Sequence, residues 1–131
     1  MPNDITAELL ALNQQLLNAI AAGDWNTYAE LCDPSLTAFE PEALGQVVEG
    51  LDFHRFYFTG GPGGGRRQNS MCSPHVRVMG DSAVLAYCRL TQVQDDASRF
   101  TSVATEETRV WQKQDGRWRH VHFHRSPVAK G

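Results

Sequence analysis

Asp115-Gly116 stands between two runs rich in Val, Trp, Phe and Thr, and it narrows the fold more than any other stretch. An Asp-Gly pair accepts the positive φ angles of a tight turn. Residues 105 to 126, TEETRVWQKQDGRWRHVHFHRS, therefore read as a hairpin with strands Thr105 to Lys113 and Arg117 to Arg125. The cargo of this pair is unusual. Glu106, Glu107, Arg109, Arg119, His120, His122, His124 and Arg125 crowd strands that a purely core-packing hairpin would fill with cleaner alternation. A two-residue type I′ turn sets Arg109 opposite His122, and a three-residue loop with Gly116 in a bulge sets it opposite Val121. The second register is favoured, without excluding the first, because Val121 and Phe123 would give the shared face core character. That face would carry Glu107, Arg109, Trp111, Val121, Phe123 and Arg125, leaving His120, His122 and His124 together on the other.

Upstream, Ile5, Leu9, Leu12, Leu16 and Ile20 recur at spacings of three and four, flanked by Leu10, Asn13 and Leu17. This predicts an amphipathic helix capped by Asn3 or Asp4 and stopped at Gly23. Asp24 is placed to cap a second helix with Trp25, Tyr28, Ala29 and Cys32 on its apolar face, ended by Asp33-Pro34. Leu36 to Phe39 reads as a short strand, Pro41 to Leu44 as a short helix and Val47-Val48 as a small strand. Phe53, Phe56 and Tyr57 predict a third helix over 51 to 58. Thr59 to Gly65, TGGPGGG, should be poorly ordered, since glycine leaves the backbone unconstrained. Strands follow at Met71 to Met79 and Ser82 to Gln94, then a loop at Asp95 to Arg99 and the hairpin. Helices first and an antiparallel meander afterwards make an α+β fold, with the helical layer on one curved face of the sheet.

The 131 residues are expected to form one domain, residues 1–131, with a sizeable core. A net charge of −3 does not suggest nucleic-acid binding, and no apolar run is long enough to span a bilayer. Cys32, Cys72 and Cys88 lack metal-site spacing, which suits a reduced, cytoplasmic setting.

Arg89 is the most informative single residue. It follows Ala83-Val84-Leu85-Ala86-Tyr87-Cys88 on a strand fit for the interior, and a buried guanidinium needs anionic or carbonyl partners. Glu106 or Glu107 would supply a structural ion pair; a carboxylate ligand is the alternative. The three histidines of the second hairpin strand invite a zinc reading. Neighbours at i and i+2 are about 6.8 Å apart, so the outer two are too far apart to share an ion, and no Cys or carboxylate has matching spacing. A wet or interfacial histidine row is the better reading.

DPSLTAFEPEALGQVVEGLDFHRFYF (33 to 58), EETRVW (106 to 111), DGRW (115 to 118) and VHFHRS (121 to 126) are similar to the association, or hub, domain of calcium/calmodulin-dependent protein kinase II. The resemblance runs from about Leu9 to Ser126. It implies the nuclear-transport-factor-2-like (cystatin-like) cone, a curved antiparallel sheet wrapped around N-terminal helices. It also implies self-association into dimers and rings of dimers, and a deep pocket lined by arginines that receives acidic small molecules. The matching positions are Arg89, Arg109 and Arg125, with His54 of DFHRFYF at the pocket edge. The 131 residues carry no kinase domain or calmodulin-binding helix, and a glycine-rich loop at 59 to 65 stands where the kinase hub has a polar stretch with longer side chains.

Candidate ligand-binding residues are therefore Arg89, Arg109, Arg125, His54, Tyr57 and Glu107, with no catalytic residue, metal or cofactor expected. The expected partners are further copies of the chain and a small carboxylate or acidic peptide, with no nucleic acid and no membrane. The alternative is a small pocket enzyme of the ketosteroid isomerase or polyketide cyclase type, with Asp52 and His54 as acid and base. Such chemistry wants one tuned base in an apolar cavity, whereas three arginines would hold a nearby carboxylate ionised and poorly basic.

Overall fold

In the computed structural model, residues 2–59 and 66–128 are described. Helix α1 (Pro2–Ala22) buries Leu9, Asn13, Leu16, Leu17 and Ala19, and the leading stripe residue Ile5 stays 40% exposed. The helix already starts at Pro2, so Asn3 and Asp4 lie in its first turn and not at a cap. Gly23, at φ 69°, turns the chain out of it. Asp24 caps α2 (Trp25–Leu31) as expected, accepting from the Thr27 backbone N–H at 3.2 Å and from the Thr27 hydroxyl at 2.7 Å. Cys32 leaves the helix in extended conformation and opens strand β1 (Cys32–Phe39), four residues before the expected start of that strand.

A 3-10 turn at Pro41–Ala43 and the two-residue β2 (Val48–Glu49) lead into α3 (Asp52–Thr59). Gly60 to Gly65, the bulk of the stretch expected to be poorly ordered, lies outside the described residues. Strand β3 (Arg66–Met79) begins earlier than the apolar pattern indicated, and β4 (Ser82–Gln94), β5 (Phe100–Gln114) and β6 (Arg117–Pro127) complete a meander. The sheet order is β2-β1-β6-β5-β4-β3. Its pairs are antiparallel except β1 with β6, which is parallel because the helical crossover returns the chain to the far side of the hairpin.

The hairpin opens in the two-residue-turn register and then departs from it, so Arg109 meets neither His122 nor Val121. Asp115 and Gly116, at φ 52° and 78°, form the two-residue turn, and pairing runs regularly from Gln114–Arg117 to Trp111–His120. The register then shifts, so that Val110 faces His122 and Arg109 faces Phe123. The extra residue is Val121 on β6, a bulge inside the strand and not in the loop. One inserted residue reverses the alternation. His120 and Phe123 therefore both point inward, while His122 and His124 remain on the outer side. The expected row of three histidines does not exist: His120 is fully buried.

Between α1, α2 and the concave sheet face, the core packs Leu9, Leu16, Leu17, Tyr28, Leu36, Leu85, Trp111, Trp118 and Phe123. Asn13 is fully buried in this apolar layer. It donates to the Tyr87 hydroxyl at 3.0 Å and accepts from Trp111 Nε1 at 3.0 Å, which ties the first helix to both long central strands. Among the described residues no helix is long and apolar enough to cross a membrane.

Candidate functional site

Alternation on β4 and β5 sends Tyr87, Arg89, Glu107 and Arg109 to the concave face, next to one another across the ladder. Glu107 is the hub of their charges. Its Oε1 accepts from the Tyr87 hydroxyl at 2.6 Å and lies 3.0 Å from Arg109 Nη2. Its Oε2 is 3.0 Å from Arg89 Nε, in ion-pair contact but off hydrogen-bond alignment. Burial alone would raise the Glu107 carboxyl pKa; the Arg109 and Arg89 guanidinium groups outweigh it and hold the pKa below the usual carboxylate range.

Arg109 is 1% exposed and almost fully committed. It donates through Nε to Tyr87 and Glu107 at 2.9 and 3.1 Å, and its guanidinium carbon lies 4.3 Å from the centre of the Phe123 ring. Burial opposes its charge, but Glu107 overcomes that and raises its pKa further. Its Nη1 is 3.4 Å from His120 Nε2. A guanidinium only donates, so Nε2 is the acceptor and the His120 proton sits on Nδ1, 3.4 Å from Cys32 Sγ. Burial and the adjacent Arg109 charge push the His120 pKa well below that of an ordinary histidine.

Above this layer is a cavity of about 470 Å³. Arg89, Arg109, Arg125, His54 and Tyr57 all line it, while Glu107 sits behind Arg89 and Arg109. Sequence reasoning missed three further charged residues. Arg67 comes from β3 at the rim. Glu42 is ion-paired with Arg125 and held below the usual carboxylate range: burial would raise its pKa, and the Arg125 hydrogen bond outweighs it. Glu40 has its Oε2 3.0 Å from His54 Nε2. Of these, Glu40 and Glu42 flank Pro41 within the stretch 33 to 58 that carries the family resemblance. Arg67 is exposed on a strand with no apolar pattern to give it away.

The arginines therefore come with resident carboxylates. Arg109 is saturated from within the protein. The side chains of Arg89 and Arg125 keep 11% and 18% exposure, which leaves each a donor edge at the cavity wall, below the exposed Arg67 of the rim. Besides Arg89 Nε, two buried polar atoms of lining residues, Glu40 Oε1 and His54 Nδ1, have no hydrogen-bond partner among the described residues, and such atoms call for a water or a bound molecule. Among the described residues no group of His, Cys, Asp and Glu is arranged to hold a metal ion.

A six-stranded curved sheet closing over N-terminal helices, with an ionic cavity at its concave face, is the nuclear-transport-factor-2-like cone. A protein of that superfamily from Salmonella enterica superposes with a TM-score of 0.81 at 21% identity over 99% of this chain and 95% of its own, which is a likeness of fold alone. The family is narrower. Residues 5–129 match the model of the calcium/calmodulin dependent protein kinase II association domain, and the chain belongs to that family. The rabbit (Oryctolagus cuniculus) calcium/calmodulin-dependent protein kinase type II subunit delta is 48% identical over 122 residues, covering 91% of this chain. The chain spans only 23% of that relative's length. The structure of the Chlamydamonas reinhardtii CamKII hub homology domain has a TM-score of 0.89 and 55% identity, covering 96% of this chain and all of that one.

Proposed function

We propose that this chain is a self-associating assembly module whose arginine-lined cavity binds a small carboxylate or an acidic peptide end. Assembly is supported by membership of an association-domain family and by apolar side chains left in water, Phe56 at 74% and Phe100 at 71% exposure among them. The cavity reading rests on one observation: Arg89 and Arg125 reach the wall with guanidinium edges not used by Glu107 or Glu42, next to unpartnered polar atoms of His54 and Glu40. Two charge-assisted hydrogen bonds contribute about 3 to 6 kcal/mol together, which is affinity of roughly millimolar order. The carboxylates around the cavity face cations or histidine, which favours binding over proton abstraction. A cytoplasmic, non-membrane setting belongs to the same reading.

Two measurements test it. Native mass spectrometry should show multiples of the 14.6 kDa chain, and a monomer at tens of micromolar would overturn the assembly reading. Acetate titration followed by NMR should shift signals of Arg89, Arg125 and His54. Arg125→Ala should weaken binding at least about tenfold, since it removes one charged donor and leaves Glu42 to repel the ligand. Equal affinity in both proteins, or shifts confined to the outer surface, would make these arginines purely structural.

A further inference from the structure

Cys72 and Cys88 are direct cross-strand partners in the antiparallel β3–β4 ladder. The residues beside them fix the side on which the thiols lie. Tyr87 and Arg89 turn inward to Glu107, and Met71 turns inward to Asn13, so Cys88 and Cys72 both point to the convex face. There they line one groove of about 570 Å³ together with Glu106, Thr108 and His124. Both are free and only partly buried.

We propose that Cys72 and Cys88 form a redox modification site, a cross-strand dithiol that closes to an intrachain disulfide. The spacing suits the bond. Side chains directly opposite on antiparallel strands have Cβ atoms about 4.5 to 5.5 Å apart, and a disulfide wants roughly 3.5 to 4.5 Å. The small remaining approach falls where the sheet is able to give. β3 is the sheet edge, and the ladder breaks immediately after Cys72, where Ser73 adopts φ 51°. The third thiol is of a different kind: Cys32 is buried against His120, and burial pushes its thiol up to about 12.

A small disulfide such as oxidised glutathione is the oxidant. One protein thiolate attacks a glutathione sulfur, forming a mixed disulfide and releasing one glutathione thiolate. The opposite cysteine thiolate then attacks the protein sulfur of that mixed disulfide and releases the second. Two protein thiols are oxidised, and one glutathione disulfide is reduced to two thiols, which take up the two protons that the protein thiols lose.

The test treats the folded, assembled protein with oxidised glutathione, alkylates the remaining thiols and maps the cysteines by mass spectrometry. The expected product is a Cys72–Cys88 cross-link within one chain, two hydrogens lighter and free of adduct, with Cys32 alkylated only after unfolding. Cys72→Ser and Cys88→Ser should each retain a glutathione adduct on the remaining outer cysteine. Adducts that persist on the wild type, cross-links between chains, or two thiols that stay unreacted would each overturn the proposal. Should either Ser variant fail to fold, the wild-type map decides alone.

Discussion

Replacing Glu107 with Gln isolates the charge at the centre of the structure. The amide oxygen of E107Q still accepts from the Tyr87 hydroxyl and the side-chain shape is kept, so what is lost is the counter-charge for Arg109 and Arg89. The Glu107 side chain is 0% exposed and that of Arg109 is 1%, which puts the pair in the regime where removing one buried partner costs about 3 to 5 kcal/mol. For 131 residues the unfolding entropy is roughly 0.28 kcal/mol per kelvin, so the melting temperature should fall by about 11 to 18 °C. Urea unfolding at pH 7 is the assay, with both proteins at one chain concentration because assembly contributes to apparent stability. The pH dependence supplies a second arm. The carboxyl of Glu107 is held below its ordinary value in the folded state, so its contribution is fully present above the unfolded value of about 4.3 and is lost as pH falls through the folded one. The gap between wild type and E107Q should therefore be widest at pH 7 and close toward pH 3. A gap under about 1 kcal/mol at pH 7, or an equal gap at both pH values, would refute the view that this carboxylate organises the site.

Asn13→Leu should destabilise the fold by about 2 to 4 kcal/mol in the same urea assay, because it strands the Trp111 indole N–H and one bond of the Tyr87 hydroxyl in an apolar layer. His120 should stay neutral with its proton on Nδ1, read from histidine ring nitrogen shifts, down to pH values well below its ordinary 6.5. Its depressed pKa means that stability present above about pH 6.5 is lost as pH falls below it, because the unfolded chain takes up a proton there that the buried ring does not.

Much of this fold was legible in the sequence. The helical spacing of Leu9 and Leu16, the Asp24 cap and the Asp115-Gly116 turn are local signals, each written within a few residues, and each is found in place. The candidate cavity residues were legible through long motifs shared with association domains, and Arg89, Arg109, Arg125, His54 and Tyr57 do line one cavity. Which charges those arginines meet was legible only in part: Glu106 or Glu107 was the expected partner of Arg89, and Glu107 is the one found. Glu107 meets Arg109 two residues along its own strand face, whereas Glu42 reaches Arg125 and Glu40 reaches His54 through the packing of the Pro41 turn, contacts between separate segments that no local pattern encodes. The bulge at Val121 shows why. A strand's alternation predicts faces only while the ladder is regular, and one unpaired residue exchanges them for everything beyond. Without it His120 would share a face with His122 and His124. With it, His120 lies fully buried beside Arg109 and Phe123 joins the core, an arrangement set by what the tertiary structure buries and not by the strand's own pattern.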